Sequence, residues 1–224
     1  MAELVLVRHA QASFGADDYD KLSELGWRQS RWLGEYFAER GARFDRVVRG
    51  SLRRHAETLA GIAEGMGRAL PADEDERLNE YQADALLRAH MGRSGGQQAF
   101  QKERDRREHF RVLREAMYAW TDGVLEVGEE HRFDGFRARV LEALAAMRSG
   151  AARRVLVVSS GGPISTMLAE VLGMPLRGVV DLNLQTRNTG ITELAAGASR
   201  IHCVSFNNVP HLDRPDRAGS LTYS

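Results

Sequence analysis

The sequence predicts an α/β fold with a mostly parallel central sheet, and three observations carry that reading. The apolar run Leu4-Val5-Leu6-Val7 stands near the start, a second run, Val155-Leu156-Val157-Val158, stands late, and strand-like runs alternate with helix-length amphipathic segments around them. Four consecutive apolar residues leave no polar face for water, as in a strand covered on both sides. A succession of strand, helix, strand and helix implies parallel pairing.

Residues 3 to 8 read as the first strand. Ser23 is placed to cap a helix from Glu24 to Arg40, with Leu25, Trp32, Leu33, Tyr36 and Phe37 at helical spacing and Gly41 to end it. Phe44 to Arg49 reads as the second strand. The stripe Leu52, Ala56, Leu59, Ala60 and Ala63 predicts a helix from Leu52 to Met66, with Gly65 and Gly67 near its end.

From about Glu80 to Met147 the pattern turns long, charged and helix-rich without a convincing strand, and loops are expected at Gly92–Gly96 and Gly123–Gly135. One domain over 1–224 carrying a helical insertion or cap at about 81–147 fits this length and pattern. The mixed signs in Gln101–Arg114 suit a solvated helix face better than an anion patch, and Met117, Tyr118 and Trp120 suit its buried side. Arg153 to Ser159 is the next strand. Pro163 then suits the first turn of a helix running to about Leu172, where its missing N–H has no intrahelical partner. Strands near Ile191–Leu194 and Arg200–Phe206 are expected to complete the sheet.

Thirty-one basic residues balance thirty-one acidic ones, so no global field attracts nucleic acid or an anionic membrane, and any anion site must be local. The single Cys203 excludes an internal disulfide framework and a thiolate metal cluster, and its setting reads as strand packing. No basic segment followed by a long apolar stretch opens the chain, and no window approaches the roughly 20 apolar residues of a membrane span. A cytoplasmic protein is expected. Clustered metal ligands, a phosphate-binding Walker loop and a dinucleotide fingerprint are missing from the sequence.

Three segments follow strands on one edge of the predicted sheet: Arg8-His9, Gly50–Thr58, and Ser159-Ser160-Gly161-Gly162. In α/β proteins that edge faces the ligand crevice. Leu78-Asn79-Glu80 adds a carboxylate at the mouth of the insertion. Together they offer an imidazole nucleophile, guanidinium clamps, an acid, and amides at a helix start that suit an anion. Singly, each residue has an ordinary reading: Arg8-His9 as a solvated strand edge, Arg54 as a salt bridge near Glu57, Glu80 as an exposed helix-start carboxylate, and Ser160 as an N-cap.

This order and spacing resemble the histidine phosphatase superfamily, also called the phosphoglycerate mutase-like family, over most of the chain. Val7-Arg8-His9-Ala10 resembles its signature, with Ala10 where glycine is usual. Gly50–Thr58 resembles the block whose pocket arginine falls on Arg54, Glu80 matches the acid by its Leu-x-Glu setting, and Asn207–Leu212 resembles the closing asparagine and His-Leu pattern. The resemblance implies a three-layer α/β/α sandwich, catalytic His9 and Glu80, and a phosphate site of Arg8, Arg54, Ser160 and Gly161.

One departure bears on activity. The family's late strand usually ends in Ser-His-Gly, and Ser160 stands in the histidine's place. Losing one preorganised donor from an active site typically costs roughly 10²–10³ in rate. Ser159, Ser160 and the amides of Gly161 and Gly162 are available as partial replacements. His202 reads as strand packing, and His55, His90, His109 and His131 read most simply as solvated.

The implied activity is a phosphomonoesterase acting on a small phosphorylated metabolite through a phosphohistidine, with no cofactor and no metal. A phospho-ligand binding protein weakened in catalysis is the alternative from another class, and a mutase ranks below hydrolysis. Neither the substrate nor the oligomeric state is legible in the sequence.

Overall fold

The computed structural model describes residues 2–13, 20–93, 106–197 and 199–223, with side chains from 110 onward in the third stretch. Residues 94–105 of the expected glycine loop and charged run, and the His109 side chain, lie outside this description.

Consecutive apolar residues of the first strand, β1 (Ala2–Arg8), are divided between two cores. Leu4 and Leu6 pack on one side with Val155 and Val157 of β4 (Arg154–Ser159), while Val5 and Val7 pack on the other with Leu156 and Val158. This is the side-chain alternation of a strand covered on both faces. One cover layer is α1 (Glu24–Glu39) and α2 (Arg53–Met66), contributing Leu33, Phe37, Leu59 and Ile62. The opposite layer includes α5 (Phe133–Arg148) and α6 (Gly161–Leu172), contributing Val140, Leu144, Ile164 and Leu168. The expected three-layer sandwich is the observed one.

β2 (Arg46–Arg49), β3 (Asp73–Glu74), β5 (Ile191–Ala196) and β6 (Ile201–Asn208) complete a six-stranded sheet in the order β3-β2-β4-β1-β5-β6. β1 pairs with β4, and β2 with β3 and β4, in parallel; β5 is antiparallel to β1 and to β6. The connection from β5 to β6 spans only 197–200, too short for a parallel crossover. The two-residue β3 is too short to leave a hydrophobic period.

Between α2 and β4 the described α-helices are α3 (Ala83–Arg93), α4 (Arg106–Thr121) and α5, and α7 (Gly178–Asn183) follows α6. The sequence reading placed Gly135 in a loop and missed α7. Gly135 instead lies in the first turn of α5, because the apolar spacing Phe133, Phe136, Val140, Leu144 and Met147 buries that face. Met117 and Trp120 are buried as expected, and Tyr118 is half-buried, its hydroxyl on Asp181. No helix among the described residues is long and apolar enough to cross a membrane.

In α2 the buried stripe differs from the expected one. Arg54, His55, Thr58, Leu59, Gly61 and Ile62 face inward, whereas Ala56 and Ala63 are half-buried and Ala60 is exposed. The apolar period selected the alanines; the start of α2 lies at the functional edge, where polar side chains are buried for their hydrogen bonds.

Candidate active site

Strands β1, β2 and β4 deliver their carboxyl ends to one edge of the sheet. Strand-like pairing continues one residue beyond each strand: His9 N–H donates to Ser159 O at 2.8 Å, and Gly50 N–H to Val158 O at 3.1 Å. The segments carrying His9, Gly50 and Ser160 are thereby fixed side by side.

His9 is 5% exposed, and its Nδ1 lies 2.8 Å from the Ala10 carbonyl. A carbonyl only accepts, so Nδ1 carries the proton and Nε2 keeps its lone pair. Burial, then the charges of Arg54 and Arg8, then His55, hold the imidazole well below its usual pKa. His9 is therefore neutral, as a nitrogen nucleophile requires. Its backbone is held from two further elements. Ala10 N–H donates to Thr58 Oγ1 at 3.0 Å, Thr58 in turn donates to Arg54 O at 2.6 Å, and Asn188 Nδ2 donates to His9 O at 3.1 Å.

Arg8 and Arg54 are held by different partners. Arg8 Nη1 donates to Thr186 O at 2.5 Å, to Thr186 Oγ1 at 3.1 Å and to Tyr223 O at 2.6 Å. Arg54 is almost buried and places Nη1 2.5 Å from Asp20 Oδ1. Glu57, the partner expected for Arg54 in its ordinary reading, pairs instead with Arg53 at 2.6 Å, one turn apart on α2.

Glu80 is half-buried at the start of α6, not an exposed helix-start carboxylate. Its Oε2 accepts from Gly162 N at 3.1 Å and its Oε1 from Tyr81 N at 3.2 Å. Burial raises its pKa, while the Gly162 amide and the two pocket arginines pull the other way. A Cβ at position 162 would run into Glu80 Oε1, so the carboxylate occupies room that glycine leaves. The loop before Glu80 is clamped twice: Ser159 Oγ donates to Leu78 O at 2.7 Å, and Arg139 of α5 donates to Arg77 O at 2.6 Å and Asn79 O at 2.8 Å.

These bonds correct two expected replacements for the missing histidine. The Ser159 hydroxyl proton is engaged by Leu78, and the Gly162 amide by Glu80. Gly161 opens α6 against the side chains of Asn183 and Thr186. Ser160 is the N-cap residue of that helix, yet its side chain makes no cap bond. Its Oγ lies 2.7 Å from His55 Nε2, and both residues have no exposed surface.

His55 is thus not solvated. Its ring centroid stands 5.9 Å from that of His9, and burial, followed by the charges of Arg54 and Arg49, lowers its pKa to about 3 against a weaker opposing pull from the Gly50 backbone. His202 is also placed differently from expectation, on the exposed side of β6, while Cys203 packs against the core as expected. His90 and His131 are partly exposed, beside Glu115 and Glu130 respectively.

Sequence reasoning assigned His55 to solvent, gave Thr58 no role of its own within the Gly50–Thr58 block, and missed Asp20, Asn188 and Arg139. His55 left a signal: it follows Arg54 in the first turn of a helix that begins at the crevice edge. The closing segment braces rather than lines the site. Thr189, at φ +56°, donates its hydroxyl to Asn188 O at 2.6 Å, so His211 Nε2–H donates to Thr189 Oγ1 at 2.8 Å. Asn207, at φ +57°, accepts from Arg187 N at 2.7 Å.

The sequence model of the histidine phosphatase superfamily (branch 1) matches residues 4–209. A 2,3-bisphosphoglycerate-dependent phosphoglycerate mutase of Methylorubrum populi is 28% identical over 195 residues, covering 82% of this chain and 85% of that protein. Among solved structures, Bacillus stearothermophilus YhfR superposes with a TM-score of 0.67 at 19% identity, covering 94% of this chain and 99% of that one. Phosphoserine phosphatase from Entamoeba histolytica, in complex with 3-phosphoglyceric acid, superposes with a TM-score of 0.65 at 18% identity, covering 95% and 100%. These likenesses run almost the full length of the chain, which belongs to the histidine phosphatase superfamily, branch 1.

Proposed function

We propose that the protein is a phosphomonoesterase that hydrolyses a small phosphorylated metabolite through a phosphohistidine on His9. The observation that carries this reading is the His9 Nδ1 to Ala10 carbonyl bond, which leaves Nε2 unprotonated beside two arginines. Arg8 and Arg54 bind the phosphoryl oxygens. Nε2 attacks phosphorus in line as the ester P–O bond breaks, and protonated Glu80 gives its proton to the departing oxygen. Glu80, now a carboxylate, takes a proton from water as the water oxygen attacks phosphorus. The P–N bond breaks, and neutral His9 and protonated Glu80 are restored.

Positioning and electrostatics dominate phosphoryl transfer. Here the guanidinium groups supply the positive charge. The raised Glu80 pKa supports its role as the acid. We assign substrate selection to the insertion, residues 81–147, within one domain; Tyr81, next to Glu80, packs on Trp120 and Phe136 there. The relatives named for phosphoserine and phosphoglycerate chemistry support a small phosphorylated substrate.

A panel of phosphomonoesters, including phosphoserine and 3-phosphoglycerate, run beside a His9→Ala control tests this reading. Phosphate release that EDTA leaves unchanged and that His9→Ala abolishes is expected. Release equal in both proteins, or an isomerised phosphoester with no free phosphate, contradicts it.

A further inference from the structure

The Ser160 hydroxyl sits where an N-cap side chain belongs but has no cap to make. The second amide of α6, Gly162, is taken by Glu80, and the third position is Pro163, which has no N–H. The hydroxyl turns instead to His55. That imidazole comes from the first turn of α2, directly after Arg54, and its ring fills room that Gly50 leaves: a Cβ there would run into Nδ1 and come within 2.7 Å of Cε1. Nε2 has Ser160 Oγ at 2.7 Å, whereas Nδ1 lies against the Gly50 backbone without a hydrogen bond of good geometry. Ser160 Oγ can accept or donate in this bond, and with the imidazole proton on Nε2 it accepts and keeps its own proton to give.

Resting on the phosphoryl-transfer reading above, we infer that His55 supplies, through Ser160, the imidazole that the end of β4 lacks. Its Nε2–H donates to Ser160 Oγ, and the Ser160 hydroxyl proton is thereby directed to an oxygen of the phosphoryl group seated on His9. His55 is a positioning residue, and Ser160 makes the contact. The His55 ring stands 5.9 Å from that of His9, and the pair has no exposed surface, a low-dielectric setting where a hydrogen bond is electrostatically stronger. Its effect falls on transfer more than on encounter.

The test measures kcat and KM on p-nitrophenyl phosphate, together with orthovanadate affinity, in the full chain. The proteins are wild type, His55→Ala, Ser160→Ala, both together, His55→Gln, Ser160→His, and His55→Ala combined with Ser160→His. His55→Ala and Ser160→Ala are each expected to lower kcat by about 10²-fold with KM changed less than about threefold, and the double variant to be no worse than the poorer single by more than about threefold. Ser160→His alone collides with His55. With His55→Ala the new imidazole has room and is expected to recover about tenfold of the kcat lost in His55→Ala.

A folded His55→Ala with wild-type kcat, or losses that multiply, overturns the inference. Where His55→Ala fails to fold, His55→Gln, which keeps an N–H donor, is expected to stay within about tenfold of wild type while Ser160→Ala does not; wild-type kcat in Ser160→Ala overturns the inference. Absent wild-type turnover marks failure of the phosphatase reading instead. In that case a roughly tenfold weaker orthovanadate affinity in both single variants still upholds the paired role, and unchanged affinity, or no binding by wild type, overturns it.

Discussion

Asp20 Oδ1 lies 2.5 Å from Arg54 Nη1, so the guanidinium assigned to the substrate already holds a carboxylate. Asp20 Oδ2 also accepts from Arg53 N at 2.7 Å, at the first turn of α2. An incoming phosphoryl group must share or displace that anion. Asp20→Asn keeps an oxygen for the backbone and removes the charge, so the inhibition constant of inorganic phosphate should fall about fivefold. Unchanged or weaker inhibition refutes the competition.

Acid should destabilise the fold from a higher pH than carboxylate titration alone would give. His9 is held well below its usual pKa, and His55 and His211 are held at about 3, each first by burial. Below about pH 6.5 the unfolded chain takes up these protons and the native one does not, so stability falls as pH falls. Each imidazole contributes about 1.4 kcal/mol per pH unit until its native pKa is reached. Glu80 acts in the opposite sense above 4.5, where the native chain retains a proton that the unfolded one has lost, but it is one group against three. Urea unfolding at pH 7.5, 6.0 and 5.0 measures this, and a flat profile contradicts it.

Gly162→Ala should separate positioning of the acid from binding. The added methyl meets Glu80 Oε1 and comes 2.9 Å from Tyr81 Cδ1, so the carboxyl must shift. A displacement near 1 Å at a reacting group costs about 10² in kcat. KM should hardly move, and steady-state kinetics showing full kcat would exclude a role for Glu80 at this position.

Thr58→Val keeps the side-chain volume but removes the acceptor of the Ala10 amide and the donor to Arg54 O. A buried N–H left unsatisfied costs about 1–3 kcal/mol. Denaturant unfolding should report a loss in that range with a reduced kcat. A stability change below about 0.5 kcal/mol would show that the His9 loop does not depend on α2.

The parts of this molecule that were legible in the sequence are those set by local periodicity and by strand ends. Leu4–Val7 and Val155–Val158 announced buried strands, and His9, Gly50 and Ser160 stand just beyond strand ends at one sheet edge. The β5 and β6 direction was less legible, because it depends on a connection length that matters only once both strands are placed. His55 was hidden for a physical reason: apolar periodicity assigns polar side chains to solvent, while an active-site edge buries them against partners remote in sequence, here 105 positions away. Asp20, Thr58 and Arg139 are polar residues whose partners are likewise supplied by tertiary structure.

The central claim is that His9 Nε2 takes the phosphoryl group. Rapid quenching of wild type with a ³²P-labelled phosphomonoester, followed by peptide mapping under alkaline conditions, tests it most directly. The account predicts an acid-labile, alkali-stable adduct on the peptide containing His9, absent from His9→Ala. Turnover with no such adduct at any quench time, or an adduct on another residue, would contradict it.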